Sequence, residues 1–150
     1  MFTKILYPTD FSDVALKALG YIKQLREAGS QEIILVHVIN RRILDGLQRH
    51  AVASEDIVRW KNQVRETAEA SLAEMRADLE AVGFIVKTVV RTGYPWQVIL
   101  NLEKEENPSI IVVGSHGRSN VSDMLLGSVS DRVSRKSRNP VLIVKRDPVQ

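Results

Sequence analysis

The sequence contains no cysteine. A disulfide framework, a thiolate zinc site and a cysteine nucleophile are therefore excluded together. Nor does any stretch approach the run of about 18 apolar residues that a membrane span needs. The opening Met1-Phe2-Thr3-Lys4-Ile5-Leu6-Tyr7-Pro8 has one early charge and no apolar segment ending in small residues, so a secretory signal is not expected and the reading is cytoplasmic. Aromatics amount to only 5%. No internal repeat, linker or low-complexity segment breaks the chain, and its 150 residues, 44% hydrophobic, suit one domain over 1–150.

Several catalytic patterns are missing as well. No Gly-Lys-Ser/Thr occurs, which excludes a Walker A loop, and no Gly-x-Gly-x-x-Gly follows the first strand, which excludes the dinucleotide fingerprint. His-Glu-x-x-His and the Gly-x-Ser-x-Gly elbow are absent too, and the three histidines are far apart. No protein metal site is expected. The net charge of +3 is spread over 21 basic and 18 acidic residues, which argues against a nucleic-acid surface. One basic cluster stands out: Arg132, Arg135, Lys136 and Arg138, then Lys145 and Arg146. The first four end a predicted helix, where cations complement the negative pole of its dipole.

What remains is a regular alternation. Lys4 to Thr9 is a short apolar strand halted by Pro8, and Ser12 is a candidate N-cap for a helix with Ala15, Leu19, Ile22 and Leu25 at helical spacing before Gly29. Glu32 to Ile39 is a nearly uninterrupted β-branched run, the pattern of a strand covered on both faces. Residues 40–54 read as a surface loop or frayed helical turn, and a long helix follows from Glu55 to Val82. Phe84 to Val90 is the third strand, Pro95 opens a helix with Val98, Ile99 and Leu102 inward, Ser109 to Val113 is the fourth strand, Ser128 to Ser137 a helix, and Val141 to Val144 the last strand. Strands alternating with helices predict a single-domain α/β fold, an open parallel five-stranded sheet with helices on both faces and a ligand crevice at the strands' C-terminal ends.

The chemistry gathers after the fourth strand, at Gly114-Ser115-His116-Gly117-Arg118-Ser119-Asn120, with Gly127-Ser128 opening the next helix. Glycines let main-chain N–H groups approach phosphate oxygens, and the helix at Ser128 adds unpaired donors and a positive dipole end. Hydroxyls of Ser115, Ser119, Ser128 and Ser130 are candidate neutral donors. Loop glycines also serve ordinary turns, so two readings stand for this stretch.

Gly-x2-Gly-x9-Gly-Ser after a fourth strand, with Tyr-Pro-Thr-Asp after the first, resembles the nucleotide-binding branch of the universal stress protein family, from Lys4–Asp10 through Leu35–Ile39 to Asn139–Val144. The resemblance implies a Rossmann-like sheet of order 3-2-1-4-5 with ATP across the ends of the first and fourth strands. Carried over by position, Pro8, Thr9 and Asp10 line the adenine and ribose side, and Val38 meets the adenine through its main chain. Gly114 and Ser115 sit under the ribose, while Gly117, Arg118, Ser119, Asn120, Gly127, Ser128, Val129 and Ser130 surround the phosphates. His116 lies among them, as a phosphate contact or a loop residue. Mg²⁺ or Mn²⁺ would be held by the ATP phosphates and water rather than by the protein. The family also pairs two chains through the last strand, so a homodimer through Val141 to Val144 is expected, with an unidentified protein partner and no membrane.

Plainer roles stand beside these. Asp10 can cap the first helix with Ser12, His37 reads as a packed, hydrogen-bonded histidine, Arg118 can project into solvent, and Trp60 and Trp96 read as packing. Three functions follow: a nucleotide-responsive dimeric binding module in stress response, a slow ATPase or phosphotransferase, or an assembly protein with a structural nucleotide.

Overall fold

A computed structural model describes residues 1–117 and 126–147. The elements run β1 (Lys4–Pro8), α1 (Asp13–Glu27), β2 (Glu32–Asn40), α2 (Arg41–Arg49), α3 (Ser54–Ala81), β3 (Ile85–Gly93), α4 (Pro95–Glu106), β4 (Ile110–Gly114), α5 (Ser128–Lys136) and β5 (Val141–Val144). All strand pairs are parallel and the order is β3-β2-β1-β4-β5, as expected.

Alternation along the strands divides the core into two layers. Ile5 and Tyr7 of β1, Ile33 and Leu35 of β2, and Ile110 and Val112 of β4 pack with Ala18 and Ile22 of α1 and Leu72, Met75 and Leu79 of α3. The intervening Leu6, Ile34, Val36, Ile111 and Val113 face Val98, Ile99 and Leu102 of α4 and Val133 of α5. Both faces are therefore apolar, which is why these strands read as continuous hydrophobic runs. Each fully buried Leu or Ile contributes about 1.5–3 kcal/mol of transfer free energy.

Helix ends are set by local chemistry. Ser12 Oγ accepts from Ala15 N at 3.2 Å, the N-cap expected of it. The C-terminus of α1 closes with Gly29 at φ +103°, its N–H donating to Arg26 O and that of Ser30 to Leu25 O. Gly83, at φ +106°, ends α3 through the same paired bonds, Gly83 N to Glu80 O and Phe84 N to Leu79 O.

One expectation is corrected. Residues 41–49 form a helix, not a loop or a frayed turn. Asn40 Oδ1 caps it by accepting from Arg42 N at 3.0 Å, and Tyr94 Oη donates to Asp45 Oδ2 at 3.0 Å. None of its residues is buried, and although Ile43, Leu44 and Leu47 share one face, nine residues with Gly46 among them are too short a run to mark a helix in the sequence. The third strand also runs on to Gly93, which pairs with Asn40, three residues past the expected end. Winding goes outward from β1 to β2 and β3, then returns to β4 and β5 on the other side. The reversal lies between β1 and β4, and their C-terminal ends carry the candidate loops.

Candidate functional site

The β1 loop is shaped by its own side chains. Thr9, buried, donates its N–H to Val36 O at 2.8 Å and accepts Phe11 N–H on Oγ1 at 3.1 Å. Asp10 Oδ1 accepts from Ser12 N at 3.0 Å. These two turns, each bonding two residues ahead, bend the chain so that Phe11 adopts φ +62°, a strained value for a residue with a side chain. Asp10 thus organises the approach to α1 while Ser12 alone makes the cap bond. His37 is the packed histidine expected: its Nδ1 donates to Thr9 O at 2.8 Å, and its ring stacks on Phe11 at 4.7 Å between centroids.

Val38 lies two residues beyond Val36, whose carbonyl is the last bonded by the β1 side, through Thr9 N. Main-chain groups on one side of a strand recur every second residue. Those of Val38 therefore turn toward the mouth of β1, past its last residue Pro8.

The β4 loop meets this loop at Gly117. A Cβ placed there would stand 2.9 Å from Asp10 Oδ2, so the carboxylate lies close against the loop and would have to turn aside for any larger residue. Gly114 answers to packing instead: a Cβ on it would lie 2.8 Å from Val14 Cγ1 of α1. Gly127 closes the loop, with its N–H donating to Ser115 O at 2.7 Å.

The carbonyls of this motif are occupied by donors from the protein. Ser115 O takes Gly127 N–H and the Ser130 hydroxyl at 2.8 Å, Gly127 O takes Asp131 N–H at 3.0 Å, and Gly117 O takes Arg146 Nη2 at 3.4 Å. The hydroxyls of Ser115 and Ser130 are both buried and turned inward. Ser115 Oγ lies 2.9 Å from His116 Nδ1 and accepts Arg146 N–H at 3.1 Å. Two of the four hydroxyls expected as ligand donors thus brace the loop, because a buried hydroxyl must find a protein partner. Ser128 is exposed, Val129 packs on the α4 side, and Arg118, Ser119 and Asn120 lie outside the described residues.

Helix α5 begins at Ser128 with Gly127 as its N-cap, which has no side chain to accept a hydrogen bond. The first bond inside the helix is Asp131 N to Gly127 O. The amides of Ser128, Val129 and Ser130 precede it and have no acceptor within the helix. They stand next to the Gly117–Asp10 contact, since the Gly127 Cβ position is 3.3 Å from His116 Cα and 3.7 Å from Gly117 N. Electropositive helix-end amides and a side-chain-free backbone thus adjoin the mouth of β1.

The universal stress protein family model matches residues 1–145. This chain belongs to the universal stress protein family. It is 38% identical to the universal stress protein MJ0577 of Methanocaldococcus jannaschii, over 97% of this chain and 96% of that protein. It is 35% identical to the universal stress protein YxiE of Bacillus subtilis, over 97% of this chain and 100% of that one. The solved structure of MJ0577 superposes with a TM-score of 0.89 at 39% identity, covering 99% of both chains. A universal stress protein solved in complex with cAMP superposes at a TM-score of 0.68 and 25% identity, over 96% of this chain and 97% of that one.

Two residues escaped the sequence reading. Arg146, noted only as part of a basic cluster, reaches the glycine loop, a consequence of β5 lying beside β4. Glu103, on α4 and 2% exposed, accepts on Oε1 from Ser137 Oγ at 2.6 Å, Arg138 N at 2.9 Å, Asn139 N at 3.1 Å and Asn139 Nδ2 at 2.9 Å. It holds the turn between α5 and β5. Burial alone would raise its pKa, but these hydrogen bonds outweigh burial and hold the carboxyl below its ordinary value.

Proposed function

We propose that this universal stress protein belongs to the ATP-binding branch of its family, takes ATP across the ends of β1 and β4, and works as a nucleotide-responsive binding module. The observation that carries the reading is the close approach at Gly117, where the loops of two strands at the switch point meet and a side chain would press on the Asp10 carboxylate. Asp10, the Val38 main chain and Pro8 supply the base and ribose side. The amides of Gly117, Ser128, Val129 and Ser130, with Arg118, Ser119 and Asn120, supply the phosphate side. The related chain solved with cAMP supports an adenine nucleotide as the ligand class.

Among the described residues no group of three His, Asp or Glu side chains gathers as a metal cage. Mg²⁺ or Mn²⁺ in this reading arrives on the phosphates, neutralising their charge. One ligand bridging two loops distant in sequence favours the conformation in which both are closed on it. The surface a partner meets then depends on the nucleotide. The active species is a homodimer through β5.

Calorimetric titration with ATP, ADP and AMP, with and without Mg²⁺, tests the reading. ATP is expected to bind and Gly117→Val to abolish binding; no heat from any nucleotide at about 1 mM, where binding would be worth about 4 kcal/mol, would remove it.

A further inference from the structure

The chain beyond β5 turns back to the glycine loop and is stitched to it. Ser115 N donates to Val144 O at 2.8 Å, Arg146 N donates to Ser115 Oγ at 3.1 Å, and Arg146 Nη2 donates to Gly117 O at 3.4 Å. The flanking residues are pinned from α1, where Lys17 Nζ donates to Lys145 O at 3.0 Å and to Asp147 Oδ1 at 2.5 Å. Arg146 is itself partly enclosed, its side chain 21% exposed, with Asp13 4.0 Å away and 79% exposed. Main-chain bonds thus fix where the side chain starts, and its head group lies along the loop instead of extending into water.

An anion site built from main-chain groups has one hazard, which is that every amide comes with a carbonyl of opposite polarity. The motif's carbonyls at 115 and 127 are taken by neutral donors, Ser130 and amide N–H groups. The Gly117 carbonyl, at the point where the two loops meet, is taken by a guanidinium. That group keeps its charge at every physiological pH and has several donors in a fixed fork. It holds the carbonyl oxygen on the protein side and adds a positive charge at the glycine loop, which favours an anion there.

We propose that Arg146 is a positioning residue of the phosphate site, setting the loop at Gly117 for the polyphosphate part of the ligand, and that the segment after β5 is a working part of that site. The inference rests on the nucleotide reading above. It separates the phosphates from the base: Arg146 bonds the glycine loop and faces Asp13 at the start of α1, whereas Val38 and His37 lie on β2.

The test compares ATP and adenosine binding by calorimetry for the wild type, Arg146→Met and Arg146→Lys, with melting curves for each protein. Arg146→Met is expected to lose about tenfold in ATP affinity, the scale of one charged hydrogen bond, with adenosine changed less than about twofold. Arg146→Lys, which restores charge without the fork, is expected to recover part of the loss. A wild type that binds ATP beside an Arg146→Met protein that binds it equally well overturns the proposal, as does an equal loss for ATP and adenosine. If Arg146→Met does not fold, the ratio of ATP to adenosine affinity in Arg146→Lys decides: a ratio unchanged from wild type counts against the proposal. A wild type that binds neither ligand defeats the nucleotide reading itself, and this inference with it.

Discussion

At Gly117 a methyl group would press on the Asp10 carboxylate where two loops meet. Gly117→Ala places a Cβ 2.9 Å from Asp10 Oδ2, and the carboxylate, which accepts from Ser12 N on its other oxygen, must shift aside. The expected result is a loss of about tenfold or more in ATP affinity with a loss of about 1 kcal/mol in stability, a fall of about 2–4 °C in Tm. Gly114→Ala differs, because its Cβ meets Val14 Cγ1 at 2.8 Å in the packed seam between α1 and β4. It should destabilise by about 1–3 kcal/mol, more than Gly117→Ala. Thermal melts of both variants with parallel titrations separate the two roles. Glu103 gives a pH signature. Its folded pKa is lowered, so its contribution is fully present above the ordinary carboxyl value of about 4.3 and is lost as pH falls through the folded value. Glu103→Gln is therefore expected to be less stable than wild type by about 2 kcal/mol at pH 7, with the gap closing below about pH 4 in denaturant melts. Nothing in the sequence sets Glu103 apart from Glu105 and Glu106 two and three positions on, which pair with Arg91 and Lys87 at the surface. Only the packing of α4 against the α5–β5 turn makes it a buried acceptor.

Among the elements, α5 depends on α4 for its seat. Trp96, near the start of α4, lies beneath Arg132 at 4.9 Å and Lys136 at 4.5 Å from its ring centroid, and Glu103 holds the chain that leaves the end of α5. Two of the four basic residues expected to face the helix dipole, Arg132 and Lys136, thus have a second, aromatic partner, and Trp96 is the packing residue its helical position suggested. Trp96→Ala is expected to lower stability by about 2 kcal/mol or more, since both a half-buried ring and two cation–π contacts go, whereas Arg132→Met should lose less than about 1 kcal/mol; chemical denaturation measures both. The principal strands and helices were legible because two-sided burial writes long apolar runs and capping residues mark the ends, as at Ser12, Gly29 and Gly83. Helix α2 was not, because a nine-residue helix interrupted by Gly46 and burying none of its residues is too short for its apolar face to set it apart from a loop. That the motif glycines and Asp10 belong to one candidate site was an expectation from the sequence; that Ser115 and Ser130 brace the glycine loop from inside depends on bonds between residues 15 apart in sequence.

For the whole molecule, sheet order places β5 at one edge and the candidate site at the centre, joined through Ser115, which bonds both Val144 and Arg146. Val144 O points to β4, so strand alternation turns the main-chain groups of Val141 and Ile143 to the outer edge. An apolar edge of this kind invites pairing with a second copy. The wild type is expected to have a dimer mass by light scattering at micromolar concentration, and Ile143→Pro, which deletes an outward N–H while leaving the bonds to β4, should shift it toward monomer. A monomer mass for the wild type contradicts the pairing. Where the nucleotide lands is decisive, and an amide-resolved NMR titration with ATP measures it directly. Perturbations concentrated at Thr9–Ser12, Val38, Gly114–Gly117 and Gly127–Ser130 are predicted, while the groove between α3 and β3 lined by Arg65, Leu72, Arg76 and Val90 stays silent. Shifts centred on that groove, or none anywhere at saturating ATP, would contradict the nucleotide reading.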